Sequence, residues 1–154
     1  MDKKIRKIDA EIIHFFRYIS EPVARVGLFV CFFWFGALKV FDLSPASPLV
    51  ESLFNRTVPF MTFPVFMVLF GVYEMVIGLM FLFKGYEREV IPLLFAHMVT
   101  TFMPLLLLPE TTWVSFMVPS LEGQYILKNF VIIAAAVGVA AHLHPLPRRV
   151  HKAR

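Results

Sequence analysis

Apolar residues recur at helical spacing along the first twenty residues of the chain. The stripe consists of Ile5, Ile8, Ile12, Phe15, Phe16 and Ile19. Charged residues occupy the other faces, so the pattern predicts an amphipathic helix over residues 1–20 that lies in the cytoplasmic membrane interface. Membrane docking is the first interpretation, because such helices bury an apolar face and hold Lys and Arg near anionic head groups; partner docking is the second. Residues 20–22, Ser-Glu-Pro, predict a break and a new helix start.

Four further stretches are apolar enough to cross a bilayer as helices. They are predicted at about residues 23–41, 64–83, 89–108 and 126–144. At ~1.5 Å per residue, a helix of roughly 20 residues spans the hydrocarbon core. The sequence therefore predicts an all-α integral membrane protein. A four-helix antiparallel bundle over residues 21–146 follows the interfacial helix, and residues 147–154 form a basic cytoplasmic tail.

The composition supports membrane insertion and limits the chemistry. Hydrophobic residues make up 58% of the 154, and the formal charge of +4 comes from basic residues in short segments beside the spans. That distribution places both termini in the cytoplasm and indicates no nucleic-acid partner. The single cysteine, Cys31, excludes an internal disulfide and a dithiol relay. No small-residue cleavage site follows the basic start, so we predict no signal peptide.

One carboxylate, Glu74, lies near the centre of the second predicted span. An ionised group there costs about 3 kcal/mol on the lenient insertion scales, so Glu74 must be protonated, paired or turned toward a polar cavity. Gly71 and Gly78, three residues before and four after it, give its face a groove in which another helix can approach closely. We expect Glu74 to face the bundle interior near Lys39, Lys128 or His97, either as a working or paired group or as a protonated one that only packs.

Two other spans carry polar stripes. In the third span His97, Thr100, Thr101 and Pro104 share one face, and Pro104 is a candidate kink. In the fourth span one face of small residues, suited to close helix contact, is predicted to start at a cation; it consists of Lys128, Val131, Ala135, Gly138 and His142. Lys39, near the end of the first span, is long enough to snorkel to the interface.

These groups suggest a site in the outer half of the bundle. The candidate ligand-binding or polar-core residues are Lys39, Glu74, His97, Thr101, Trp113, Glu122 and Lys128. They would relay protons or hydrogen-bond a quinone's carbonyls, with Trp34, Phe35 and Trp113 as aromatic lining and Asp42 as a further member. In the alternative, Lys39 and Lys128 pair with Glu110 or Glu122 and only pin the outer loops.

Metal and haem chemistry are not favoured by the pattern. His97 and His142 lie at different depths, so a bis-imidazole haem site is disfavoured, and no Cys or His cluster has zinc-ligand spacing. No catalytic residue is identified. No cofactor is identified with certainty, and a quinone is compatible with the pattern.

Four segments carry a resemblance to a known family. They are "FFWFGALKVFDLSPASPLVESL", "GVYEMVIGLMFL", "HMVTTFMPLLLLPETTW" and "LEGQYILKNFVIIAAA". Together they resemble the YkgB/RclC-type membrane proteins, which are similar to the wider DoxX group. The resemblance implies a four-helix protein of the bacterial inner membrane, in a redox or oxidative-stress system. Lys39, Glu74, His97, Trp113, Glu122 and Lys128 occupy the matching motif positions.

The expected function is that of an accessory subunit which binds a quinone or a partner subunit through the inward face of the bundle. The alternative is a non-enzymatic assembly or stress-response factor whose polar core is purely structural. Expected partners are the lipid bilayer and a redox-complex subunit or further copies of the chain. A solute or proton pathway is weaker, because four short spans leave little room for alternating access.

Overall fold

The first helical element is longer than the sequence predicts. The computed structural model describes residues 3–141 and residue 143. It contains α1 (Lys3–Phe29), a π-helical turn (Val30–Trp34) and α2 (Phe35–Val40), which follow one another without a gap. The predicted break at residues 20–22 is wrong: Pro22 lies inside α1. Glu21 and Arg25, one turn apart and on either side of Pro22, form an ion pair of 2.9 Å within the continuous helix.

The remaining elements follow in chain order. The helices are α3 (Ser47–Thr57), α4 (Phe63–Leu82), α5 (Glu87–Phe102), α6 (Pro104–Leu107), α7 (Pro109–Thr112), α8 (Leu121–Leu127) and α9 (Asn129–Ala140). A short hairpin, β1 (Trp113–Ser115) with β2 (Val118–Pro119), separates α7 from α8. The fold is all-α, as predicted, with this hairpin as its minor addition.

Four helical stretches are long and apolar enough to cross a membrane, as expected of a multi-pass membrane protein. They cover Lys3–Val40, Phe63–Leu82, Glu87–Leu107 and Leu121–Ala140. The second and third agree closely with prediction, and the helix is interrupted at Met103, just before the candidate kink at Pro104. The fourth begins earlier than predicted because Ser120 caps α8, its hydroxyl accepting a hydrogen bond from the Gly123 N–H.

The buried apolar core lies where α1, the π turn, α4, α5 and α9 meet. Its members are Leu28, Phe32, Ile77, Phe81, Val90, Leu94, Met98, Ala136 and Val139. The small-residue contact face predicted for the fourth span is wrong at two members: Val131 is exposed, and a methyl group added at Gly138 would meet nothing within 4 Å. Its member Ala135 does pack against the core, together with Ala136 and Val139. Residue 142, the last member of that predicted face, and the predicted tail over residues 147–154 lie outside the described residues.

The connection before the second span contains the short helix predicted there. Ser47 and Pro48 begin α3, but Ser47 does not act as its cap: Ala46 occupies that position, and the Ser47 hydroxyl has no hydrogen-bond partner. Between α4 and α5 the chain turns within residues 83–86. Gly85 adopts a φ of 104° in this turn, a conformation that favours glycine, and its N–H donates to the Glu87 carboxylate.

Candidate functional site

Glu74 is buried in the middle of α4 and is paired on both carboxylate oxygens. Lys39 of α2 donates from Nζ to Glu74 Oε2 at 2.6 Å, and His97 Nε2 of α5 lies 2.8 Å from Glu74 Oε1. All three side chains are no more than 7% exposed. We call Lys39, Glu74 and His97 the polar core. It joins three of the four predicted spans, and it places Glu74 toward the protein interior, as expected from the sequence.

Close helix packing brings Lys39 to Glu74. A Cβ atom on Gly36 would lie 2.5 Å from the Gly71 carbonyl oxygen, and one on Gly71 would lie 2.6 Å from the Gly36 carbonyl oxygen. Only hydrogen atoms fit at these two positions, so the α2 and α4 backbones touch one turn from the polar core. At Gly78 a Cβ would meet the Phe33 backbone nitrogen at 2.7 Å. The groove predicted at Gly71 and Gly78 is therefore confirmed, and the first span fills it.

The π turn includes Phe33, which makes the Gly78 contact, and ends just before Gly36. Val30–Trp34 inserts the wider helical turn immediately before the segment that holds Gly36 and Lys39. A π turn changes the angular position of every residue that follows it. Phe32 within it and both Gly36 and Lys39 after it are buried against the bundle. No residue pattern in the sequence indicates this turn.

His97 has a partner on each ring nitrogen. Thr101 Oγ1 lies 3.1 Å from His97 Nδ1 and 3.0 Å from the His97 backbone oxygen. With Nε2 donating to Glu74, a neutral imidazole accepts at Nδ1 from the Thr101 hydroxyl. A protonated imidazole would instead donate from Nδ1 while the hydroxyl turns to the backbone oxygen. The same geometry therefore satisfies both charge states of His97.

Aromatic rings enclose the polar core. Phe70 stacks on His97 at 5.1 Å with the planes 4° apart, and Phe32 meets it edge-on at 5.3 Å. The Lys39 ammonium lies 5.6 Å from the Phe70 ring centre, which gives the cation a second favourable contact. Tyr73, 6.1 Å from His97, donates its hydroxyl to the Leu93 backbone oxygen. The walls are thus apolar faces rather than further donors.

Of the other predicted site residues, Thr101 contacts His97, whereas Trp113, Glu122 and Lys128 do not join the polar core. Lys128 is exposed between α8 and α9, with its ammonium 4.7 Å from the Tyr125 ring centre, and Glu122 is exposed and accepts from the Ser120 hydroxyl. Trp113 is half-buried and donates from Nε1 to the Leu105 backbone oxygen at 3.0 Å. Asp42 is exposed. The expectation that Lys128 bounds one pocket with Lys39, Glu74 and His97 is wrong, because the helix is interrupted at Lys128 and its side chain turns outward.

The loops that the sequence places on the outer side are held by a different ion pair from the one predicted. Arg56 of α3 forms an ion pair with Glu110 and donates to the Leu107 backbone oxygen. Both side chains of this pair are more than half exposed. Lys39 and Lys128, the predicted partners of the loop carboxylates, are instead occupied by Glu74 and by the Tyr125 ring. Trp34 and Phe35, expected as lining, are exposed on the outside of the bundle.

A second buried ionic cluster, which the sequence interpretation missed, lies beside the α4–α5 turn. Arg25 of α1 pairs with Glu21 and with Glu87 and donates to the Phe81 backbone oxygen at 3.2 Å. Lys84 adds a contact of 3.6 Å to Glu21 from the exposed rim. We call Arg25, Glu21, Glu87 and Lys84 the Arg25 network. Arg25 lies directly inside an apolar stretch, which was a sequence signal for this network. The sequence interpretation counted it only among the basic residues that set the orientation in the membrane.

Two open grooves on the bundle surface are apolar. One, of about 370 Å³, lies between the third and fourth spans and is lined by residues such as Phe95, Met98 and Ile133. The other, about 320 Å³, runs along one turn of α4. Neither is lined by a member of the polar core. Their chemistry suits acyl chains or an apolar helix rather than a ligand that needs polar recognition.

Comparison of the chain with protein-family models, with curated proteins and with solved structures finds no match in any of the three. The resemblance to the YkgB/RclC-type proteins therefore remains a prediction.

Proposed function

We propose that this chain is a non-enzymatic accessory subunit of a membrane assembly, and that its polar core holds one specific packing of three spans. The observation that carries the proposal is the mutual pairing of Lys39, Glu74 and His97. Glu74 has a partner on each oxygen and His97 has one on each ring nitrogen. All of these partners belong to the chain itself, and the three side chains are buried.

Binding of a quinone at this position is less well supported. A quinone needs hydrogen-bond donors that face a space large enough for its head group. Lys39 and His97, the two expected donors, point at Glu74, and aromatic rings pack around them. Breaking either contact for a ligand would leave a buried charge without its partner, which is expensive in an apolar interior.

A structural role for a buried ion pair needs a reason, because replacing such a pair with apolar residues is often neutral or stabilising. The reason here is that the pair specifies a single packing of the spans. Between apolar helices in lipid many packings have similar energies, whereas a carboxylate that must meet an ammonium and an imidazole selects one register. The Gly36–Gly71 contact selects the same register through shape.

We further propose that the four spans cross a bacterial inner membrane in an antiparallel arrangement with both termini in the cytoplasm. The basic residues near the start of the chain and those of the α4–α5 turn would then share one side, and α3 with the hairpin would lie on the other. Cysteines placed singly at Lys84 and Glu110, in a chain with Cys31→Ala, should label from opposite sides of the membrane. Labelling of both from one side would overturn this topology.

The test of the structural role uses variants at matched membrane abundance. Glu74→Gln and His97→Ala are compared with the unchanged protein for co-purifying quinone and for survival of oxidative stress. We expect each of these three proteins to contain no more quinone than an unrelated four-span protein does. Glu74→Gln, which keeps a hydrogen bond to Lys39, should retain the stress phenotype. Saturable quinone binding that is lost in Glu74→Gln while the fold is intact would contradict the proposal.

A further inference from the structure

The first five turns of α1 extend away from the bundle. Every residue from Lys3 to Tyr18 is exposed, including large apolar ones. Ile5, Ile8, Ile12 and Phe15 are between 48% and 56% exposed. Because α1 continues into the first span, this part of the helix is placed in line with the span rather than flat on the interface. Its apolar side chains therefore need a cover other than the flat lipid interface of the first interpretation, which leaves the second, a docked partner.

The spacing of these side chains is that of a coiled-coil seam. Positions 5, 8, 12, 15 and 19 are separated by three, four, three and four residues and hold Ile, Ile, Ile, Phe and Ile. Written as heptads, they are a, d, a, d and a, the pattern by which one helix packs along another, and the exposed Phe16 at an e position widens this face. A helix that lies on lipid needs only a broad apolar face and no such regularity.

The charges that border the seam favour another copy of the chain. Lys4 occupies a g position, and Asp9 occupies the e position five residues later. In a parallel coiled coil the g side chain of one helix faces the following e side chain of its neighbour, so Lys4 meets the Asp9 of the other copy, and the reverse pair forms too. Copies inserted in the same orientation necessarily present these helices in parallel.

The charges beside the seam also disfavour its docking on an anionic lipid surface. Two of the three charged residues beside the seam are carboxylates, Asp9 and Glu11. Most of the basic residues, including Lys3, Arg6 and Arg17, lie at b or f positions away from it. A helix docked on anionic lipid through the seam would press two carboxylates against the head groups and hold those cations away, the reverse of what binds.

The seam also faces away from the chain's own bundle. At roughly 100° per residue, the buried side chains Arg25, Leu28 and Phe32 lie on the opposite side of α1 from Ile12. The exposed Val23, Val26 and Val30 continue the seam's side along the span. A neighbouring copy can therefore approach α1 without disturbing the polar core.

We propose that copies of this chain associate through a parallel coiled coil formed by residues 5–19 of α1. Two heptads are too short for stable pairing of free peptides, but spans held in one membrane raise the effective concentration of their attached helices. This inference goes beyond the accessory role and does not depend on it.

Disulfide cross-linking of the full-length protein in membranes tests the seam. In a Cys31→Ala background, single cysteines replace Ile8 or Ile12 on the seam, and Ala10, at an f position, serves as the matched control. We expect oxidation to give severalfold more cross-linked dimer from positions 8 and 12 than from position 10. Equal cross-linking at all three positions would mean random collision, and none at any would mean that lipid or a different protein covers the seam; each result would overturn the proposal.

Charge reversal tests the register. Lys4→Glu or Asp9→Lys alone should weaken cross-linking at position 12, and the two together should restore it, because the swapped charges again attract. Lys3→Glu, an equal charge change at an f position, should leave it unchanged. Failure of the double variant to recover, or an equal loss in Lys3→Glu, would contradict the parallel pairing.

Discussion

The two buried ionic clusters of the bundle differ in how their charges are balanced. In the polar core one carboxylate, Glu74, serves both an ammonium and an imidazole from other spans. In the Arg25 network one guanidinium serves two carboxylates and a backbone oxygen, and Lys84 links the network to the exposed rim. The first is enclosed by aromatic rings, whereas the second lies beside the α4–α5 turn.

This difference determines what a lost partner costs. Without Glu74, the Lys39 ammonium remains in the interior with only an aromatic face as its partner. Without Arg25, two carboxylates remain beside a turn, where the rim gives them a route to water. The polar core should therefore be the more sensitive of the two clusters, although Arg25 and Glu87 are as buried as its members.

The largest effect is expected for Glu74→Leu. Removal of the shared carboxylate leaves Lys39 unpaired and His97 without its Nε2 partner, so we expect a loss of about 3–5 kcal/mol of stability. Thermal unfolding in detergent measures it. Glu51→Leu, on the exposed surface of α3, is the matched control and should change stability by less than about 0.5 kcal/mol. A loss of stability no greater than that of Glu51→Leu would show that the pairing of Glu74 does not stabilise the bundle.

Arg25→Met should have the next largest effect. The methionine fills part of the space but leaves Glu21 and Glu87 with only the exposed Lys84 ammonium, 3.6 Å from Glu21, as a cation, which we expect to cost about 2–3 kcal/mol. Arg17→Met, on the exposed part of α1, controls for the loss of a charge. If Arg25→Met proved more damaging than Glu74→Leu, the proposed difference between the two clusters would be reversed.

Gly71→Ala tests the helix contact that supports the polar core. Its methyl group would meet the Gly36 carbonyl oxygen at 2.6 Å, so α2 and α4 must separate, at a cost of about 1–3 kcal/mol. Gly138→Ala, where a methyl group meets nothing within 4 Å, should be neutral or slightly stabilising. Equal stability of these two variants would contradict the close contact between α2 and α4 at Gly71.

Arg56→Ala should have the smallest effect. Its pair with Glu110 is solvent-exposed on both sides, so the loss should stay below about 1 kcal/mol and should shrink further in high salt. Unfolding at low and high ionic strength measures both features. A large loss of stability that salt does not alter would show that this pair behaves like the buried clusters instead.

Several features of the bundle could be predicted from single residues. A lone carboxylate in an apolar stretch must find a partner, which is why Glu74 pointed to the interior and to His97 on the next span. The glycines at Gly71 and Gly78 indicated the contact face. Spacing alone was sufficient here, because each feature depends on one regular helix.

Other features depend on how separate elements meet, which spacing does not reveal. Lys39 was placed near the outer edge and also named among the expected neighbours of Glu74, and the Gly36–Gly71 contact brings the two side chains together. Lys128 was expected to bound the same pocket, but its side chain is exposed beside the Tyr125 ring. Packing between helices decides both cases. Pro22 was expected to end a helix, but α1 continues through it.

The most direct measurement of the central claim is a double-mutant cycle on Lys39 and Glu74. Lys39→Met and Glu74→Leu are made separately and together, and the free energy of unfolding is measured for all four proteins in the same detergent. If the two charges exist chiefly to neutralise each other in a fixed packing, the double variant should be more stable than Glu74→Leu alone, because no unpaired ammonium remains in the interior. A double variant that loses the sum of the two single losses would contradict the account.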